Sequence, residues 1–205
     1  MSPSRRHNFA VYLAAAWSGY FVMGIELLGG RLLAPYFGNS IFVWGALIAV
    51  FMACLAFGYL LGGQASLRSP SLRKLGLLLL GAALLALPVV FGGDTALDAL
   101  SLGIRDLRYG ALAGATLLFG GTAVVSGMVS PYAVRLLVDN VDGSGRSAGR
   151  LYFASTLGSA AGTIFTSFYL VLWFEVNHIV LGMLLVSGLI ATALIAMGGR
   201  RREMV

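Results

Sequence analysis

The sequence predicts an all-α, polytopic membrane protein of about six transmembrane helices, and three observations carry that prediction. Hydrophobic residues make up 59% of the 205 and charged residues only 11%, against about a quarter charged in an ordinary soluble domain. The apolar residues collect into six stretches of roughly the 20 residues that a helix needs to cross the hydrocarbon core. The 28 glycines would weaken soluble helices, but in lipid small residues let helix backbones approach closely.

The first stretch, 9–31, follows Arg5 and Arg6 and runs past Glu26 without a small-residue cleavage site, which predicts a retained helix rather than a signal peptide. The second, 41–63, holds the single cysteine, Cys54, which can form no intramolecular disulfide. The third, 75–92, carries Pro88 near its end, where a missing amide kinks or ends a helix. The connection GGDTALDALSLGIRDLRYG follows, with Leu97, Leu100, Leu102, Ile104 and Leu107 among charged residues. It fits a short helix lying on the membrane surface, or a solvated loop. The fourth stretch, 111–134, has Pro131 near its end, and DNVDGSGRSAGR after it reads as a flexible turn between two three-helix halves. Stretches 151–173 and 178–198 complete a single domain, 1–205. The segments PYFGNS and SPYAVR hint at internal similarity between the halves. With three helices in each, such a repeat is inverted in the membrane, as in many transporters.

Arg5, Arg6, Arg68, Arg73, Lys74, Arg135, Arg146, Arg150, Arg200, Arg201 and Arg202 fall on the side of the N-terminus, and Arg31, Arg105 and Arg108 on the other. Short loops rich in Lys and Arg stay in the cytoplasm, so both termini are expected there, in a multi-pass protein of the inner, cytoplasmic membrane. The net charge of +6 is thereby explained by topology, and nucleic acid is not an expected partner.

Glu26 is the most informative position, because an ionisable group in a transmembrane helix costs about 2.5 to 3.5 kcal/mol at the helix centre. In a span of 9–31 it lies toward the outer boundary. Arg31 is roughly 140° further round the same helix, a poor angle for pairing. Glu26 is therefore expected either in a structural ion pair or interhelical hydrogen bond, or in cation binding or proton coupling. Tyr36 and Trp44 are nearby in sequence and could supply ring faces to an organic cation. Most other aromatic residues are expected as interfacial anchors. In the fifth stretch Ser155, Ser159 and Thr163 form one row and Gly158 and Gly162 another. That is a helix-packing face, or less simply a polar path for a small solute. Gly58 and Gly62 repeat the pattern and suggest the second span as its partner.

There is no HExxH, CxxC, GxSxG or Walker loop, and His7 and His178 fall on opposite sides. No metal site, cofactor or enzymatic activity is expected.

The stretch ELLGGRLLAPYFGNSIFVWGALIAVFMACLAFGYLLGG, Glu26 to Gly63, resembles the membrane-embedded part of membrane-bound spermidine synthase-like proteins. GMVSPYAVRLL and GRSAGRLYFASTLGSAAGT resemble the same family's later helices, with Ser130, Pro131, Gly149, Tyr152, Ser155, Thr156, Gly158 and Gly162 at matching places. The chain departs from the pattern at Thr122, where the family has proline, and in GGQASLRSPSLRK. That loop keeps Gly63, Arg73 and Lys74 of a transporter-superfamily signature but lacks its aspartate. Longer relatives carry an aminopropyltransferase domain after the helices. This chain is expected to lack it, so the resemblance implies no catalytic residue here. Two functions remain in view. One is a non-catalytic membrane subunit, a scaffold packing through its small-residue faces and basic rim against a partner such as a synthase-like enzyme. The other is a half-transporter that forms a homodimer or larger complex and moves a small cationic solute such as a polyamine.

Overall fold

The computed structural model describes residues 3–138 and 143–200, and no strand occurs among them. Helix α1 (Pro3–Phe37) is longer than its apolar stretch suggested. It passes through Pro35, which removes only one ladder bond in the last turn, and stops at Gly38. There the left-handed conformation (φ +81°) lets the Gly38 N–H donate back to the Ala34 carbonyl at 2.9 Å. Helix α2 (Ile41–Ser66) returns across the bundle. Ser71 caps α3 (Leu72–Leu85) by accepting from the Lys74 amide at 3.3 Å.

Pro88 divides the third span as its missing amide requires: α3 ends at Leu85, and α4 (Leu87–Phe91) restarts with the proline in its first turn. Pro131 does not divide the fourth, because α6 (Leu107–Leu137) runs on past it. Between them the polar connection forms a helix, α5 (Gly93–Gly103), with Leu97 fully buried beside Gly114 while Asp94 and Asp98 stay exposed. Asp106 caps α6, accepting from the Arg108 amide at 3.0 Å and pairing with its guanidinium at 2.9 Å. The Arg108 hydrogen bonds hold the Asp106 carboxyl below the usual aspartate range. The cap is therefore complete above that range and is lost as pH falls through the depressed value.

The glycine-rich connection expected as a turn over 139–150 lies in part outside the described residues. From Ser144 onward it is helical, as the first turns of α7 (Ser144–Ile164), with Arg146 and Arg150 exposed along it. A π-helical turn, Phe165–Leu170, joins α7 to the short α8 (Val171–Trp173), and α9 (Val176–Arg200) completes the chain. Six helical segments are long and apolar enough to cross a membrane: α1, α2, α3 with α4, α6, α7 through α8, and α9. This is an all-α integral membrane protein.

The helices interleave the two halves of the chain. The most extensive contacts join α2 to α6, α1 to α7 and α3 to α9, while α1 and α6 cross at the centre. Exchanging the first three spans for the last three preserves the three most extensive contacts: α1 with α7 becomes α6 with α2, and α3 with α9 maps onto itself, whereas α3 with α6 has only a small counterpart in α1 with α9. Close backbone approach sits at equivalent joints. A Cβ on Gly58 or Gly62 of α2 would run into the backbone of α6 at Val124, Gly127 and Met128. One on Gly158 or Gly162 of α7 would run into the backbone of α1 at Ala16 and Tyr20. The two small-residue faces, expected to meet each other, are thus each taken by the first helix of the opposite half.

Because backbone carbonyls cannot move aside as a flexible side chain can, Gly58→Val and Gly158→Val are expected to destabilise the protein by about 1–3 kcal/mol or more. Gly188 has open space where a Cβ would go, so Gly188→Ala should leave thermal unfolding in detergent within about 0.5 kcal/mol of the parent. Equal effects at all three positions would contradict the packing described.

Candidate functional site

The interior is almost wholly apolar, so its few polar side chains define the candidate site. Glu26 lies about 16 Å, at 1.5 Å per residue, inside the end of α1 at Phe37. The longer α1 thus places it deeper than a span ending at 31 suggested. Its level can be read from the antiparallel contact of α1 with α6. Gly29 lies against Phe119, the Leu33 side chain against Gly114 and the Phe37 ring against Gly110. Continued down both helices, that register brings Thr122, at the midpoint of α6, to the height of Glu26, with Ser126 one turn further in. On the other side of α1 the Thr166 hydroxyl and the Met183 side chain lie against Gly24. Thr122 and Thr166 therefore lie near the level of Glu26, Thr166 on the opposite face of α1 from the acid.

What distinguishes this layer is that its groups are unpaired. Thr122, Ser126 and Thr166 are 2%, 4% and 0% exposed, and none of their hydroxyls has a hydrogen-bond partner among the described residues. Hydroxyls elsewhere in the helices behave differently. Thr116 donates to Leu112 O at 2.7 Å, Thr163 to Ser159 O at 3.0 Å, and Ser187 to Met183 O at 2.8 Å. A buried hydroxyl without a partner costs about 1–3 kcal/mol. The half-buried Glu26 likewise makes no hydrogen bond or ion pair among the described residues. Thr166 stands within a π-helical turn, a distortion of helical geometry found most often at functional sites.

The other residues singled out from sequence do not gather round Glu26. Arg31 is exposed and pairs with no acid among the described residues. Tyr36 lies about 15 Å further along α1 than Glu26, and its hydroxyl donates to Asp94 Oδ1 of α5 at 3.3 Å. Trp44 donates to Asn39 Oδ1 at 2.9 Å and lays its ring against Gly30. Tyr36 is consequently apart from the acid, whereas the Trp44 ring rests one helical turn from it at Gly30. The aromatic pair that enters the bundle is Trp17 with Tyr20, stacked at 5.1 Å, with the Trp17 indole N–H donating to Ser187 Oγ at 2.8 Å. Those two rings line a cleft of about 420 Å³ between α1, the π-helical turn and α9. Ser155 and Ser159 border Gly19 of α1 at a packing joint rather than lining an open path. No cluster of three or more metal-ligating side chains occurs among the described residues.

Comparison with known proteins finds no matching family model, curated protein or solved structure.

Because the Thr122 and Thr166 hydroxyls are buried without partners, the isosteric Thr122→Val and Thr166→Val substitutions are expected to raise stability by about 1 kcal/mol each. Thermal unfolding in detergent measures this, and a loss of stability in both would show that the hydroxyls have structural partners.

Proposed function

We propose that this integral membrane protein is a small carrier, built of two inverted three-helix halves, in which Glu26 is the counter-charge for a cationic solute. The observation carrying this reading is an acid without a partner among the described residues, at the level where α1 packs against α6 and near that of the buried, unpartnered Thr122 hydroxyl. A carboxylate, with a free hydroxyl near its level, supplies acceptors that can replace part of a cation's hydration shell. The pairing of helices across halves agrees with folds in which the binding site lies at the interface of inverted repeats. Resemblance to the membrane part of spermidine synthase-like proteins makes a polyamine the first solute to try. With six spans, the working unit of this reading is a homodimer or a larger membrane complex, oriented with both termini in the cytoplasm.

A second reading, the non-catalytic scaffold that holds a partner enzyme, draws on α7 and α8. There Phe153, Leu157, Phe168, Leu172 and Trp173 turn outward in the least buried of the six spans. It is the weaker of the two, because the small-residue faces meant to receive a partner are spent inside the bundle.

Reconstituted into liposomes, the parent protein is expected to take up radiolabelled spermidine in a saturable manner. Glu26→Gln is expected to lower the rate more than tenfold with thermal stability little changed. Unaltered uptake by the variant would remove Glu26 from the mechanism. Absence of uptake by the parent, with a second protein co-purifying in fixed ratio, would favour the scaffold.

A further inference from the structure

At the end of the bundle where α1 begins and α9 ends, a cleft of about 810 Å³ opens between α2, α3 and α6. Its walls are apolar, with Leu61 and Leu77 partly exposed on either side and Leu78 between them. Its rim is polar and cationic: Gln64, Arg68 and Lys74. The rim is held in place. The Lys74 ammonium donates to the Arg68 carbonyl at 2.6 Å and to Ser69 Oγ at 3.0 Å. The Ser71 amide donates to the Tyr132 hydroxyl at 3.1 Å, which ties the turn to α6. Lys74 keeps a third N–H free, and the exposed Arg68 guanidinium has no hydrogen bond or ion pair among the described residues. None of the described acidic residues lies at this end: Asp94, Asp98 and Asp106 are at the opposite end with Glu175, and Glu26 is within the bundle.

We infer that this cleft is a binding site for an anionic phospholipid, with the phosphate between Arg68 and Lys74 and the upper acyl chain along Leu61, Leu77 and Leu78. Charge complementarity selects the occupant. Two cations with no acidic partner among the described residues, at a headgroup-level rim, call for an anion, and an apolar floor open to the bilayer calls for that anion to carry hydrocarbon. A soluble phosphate would satisfy the first requirement and leave the second unmet. A zwitterionic lipid would bring its own ammonium toward Arg68. Basic clefts between transmembrane helices near the membrane surface bind acidic headgroups on this same physical basis, with about 1 kcal/mol gained per Lys or Arg. The site is independent of the Glu26 layer.

The test is native mass spectrometry of the full chain released from nanodiscs of equimolar phosphatidylglycerol and phosphatidylcholine, together with thermal unfolding in detergent on adding each lipid. The expected result is one retained phosphatidylglycerol per chain and a rise in unfolding temperature with that lipid alone. Arg68→Gln should lower its retention about fivefold, the equivalent of one charge, and Arg68→Lys should largely restore it. Because Arg68 is exposed and its side chain makes no internal bond, neither variant is expected to alter the fold. Equal retention of both lipids, undiminished retention by Arg68→Gln, or equal stabilisation by inorganic phosphate would each overturn the assignment.

Discussion

In hydrocarbon no hydrophobic force draws one apolar helix to another, so a six-helix bundle is held by how closely its backbones can approach. Here that approach is closest at two joints, α2 against α6 at Gly58 and Gly62, and α1 against α7 at Gly158 and Gly162, with α3 and α9 also meeting at Gly76 and Gly198. At both of the closest joints the place of a Cβ is occupied by carbonyl oxygen and α-carbon of the facing helix. Everything else in the bundle is arranged around those contacts. They bring α1 and α6 to the centre, push the aromatic faces of α7 and α8 outward to lipid, and leave α3 and α9 to close against each other.

The same arrangement explains the unpaired polar layer. Side chains that could hydrogen-bond to their own helix mostly do so, as Thr116, Thr163 and Ser187 show. Thr122, Ser126 and Thr166 have no partner among the described residues, and Thr166 lies where the π-helical turn meets α1 of the opposite half. A protein selected for stability alone would place apolar residues there, since each free hydroxyl detracts from folding. Keeping three of them at or near the level of an unpaired carboxylate is understandable when a solute or water completes their hydrogen bonds. Sites of function are where a chain commonly gives up stability in this way.

Electrostatics divides the molecule along its axis. Among the described residues, Arg5, Arg6, Arg68, Arg73 and Lys74 collect at one end without an acid, while Asp94, Asp98 and Asp106 stand at the other with the α5 helix. The Arg108 pair with Asp106 is local and serves to start α6. The Tyr36 bond to Asp94 fastens α5 to the end of α1. The cationic end has no such internal partner for Arg68, and its apolar cleft extends directly from that charge. One end is therefore closed by its own polar contacts, and the other is left open to the membrane surface.

The sequence by itself determined that this chain crosses a membrane six times, because twenty apolar residues in a row allow no other stable disposition of the backbone. It also marked Glu26, since an acid is conspicuous in an apolar run, and it located the break at Pro88, whose missing amide acts locally. Helix ends were less legible. The first stretch was bounded at 31, but α1 runs on through Pro35 and stops at the left-handed Gly38. The start of α7 was hidden by glycines whose low helix propensity is overridden from Ser144 onward. What only the tertiary structure decided is which faces meet. Spacing showed that Gly58 and Gly62, and Gly158 and Gly162, each line one side of a helix. It could not show that each packs on the first helix of the opposite half, because small residues fit any close partner. For the same reason Thr122, Ser126 and Thr166 passed as ordinary helix residues. Whether a hydroxyl is satisfied depends on neighbours far away in the chain, and only the packed bundle supplies or withholds them.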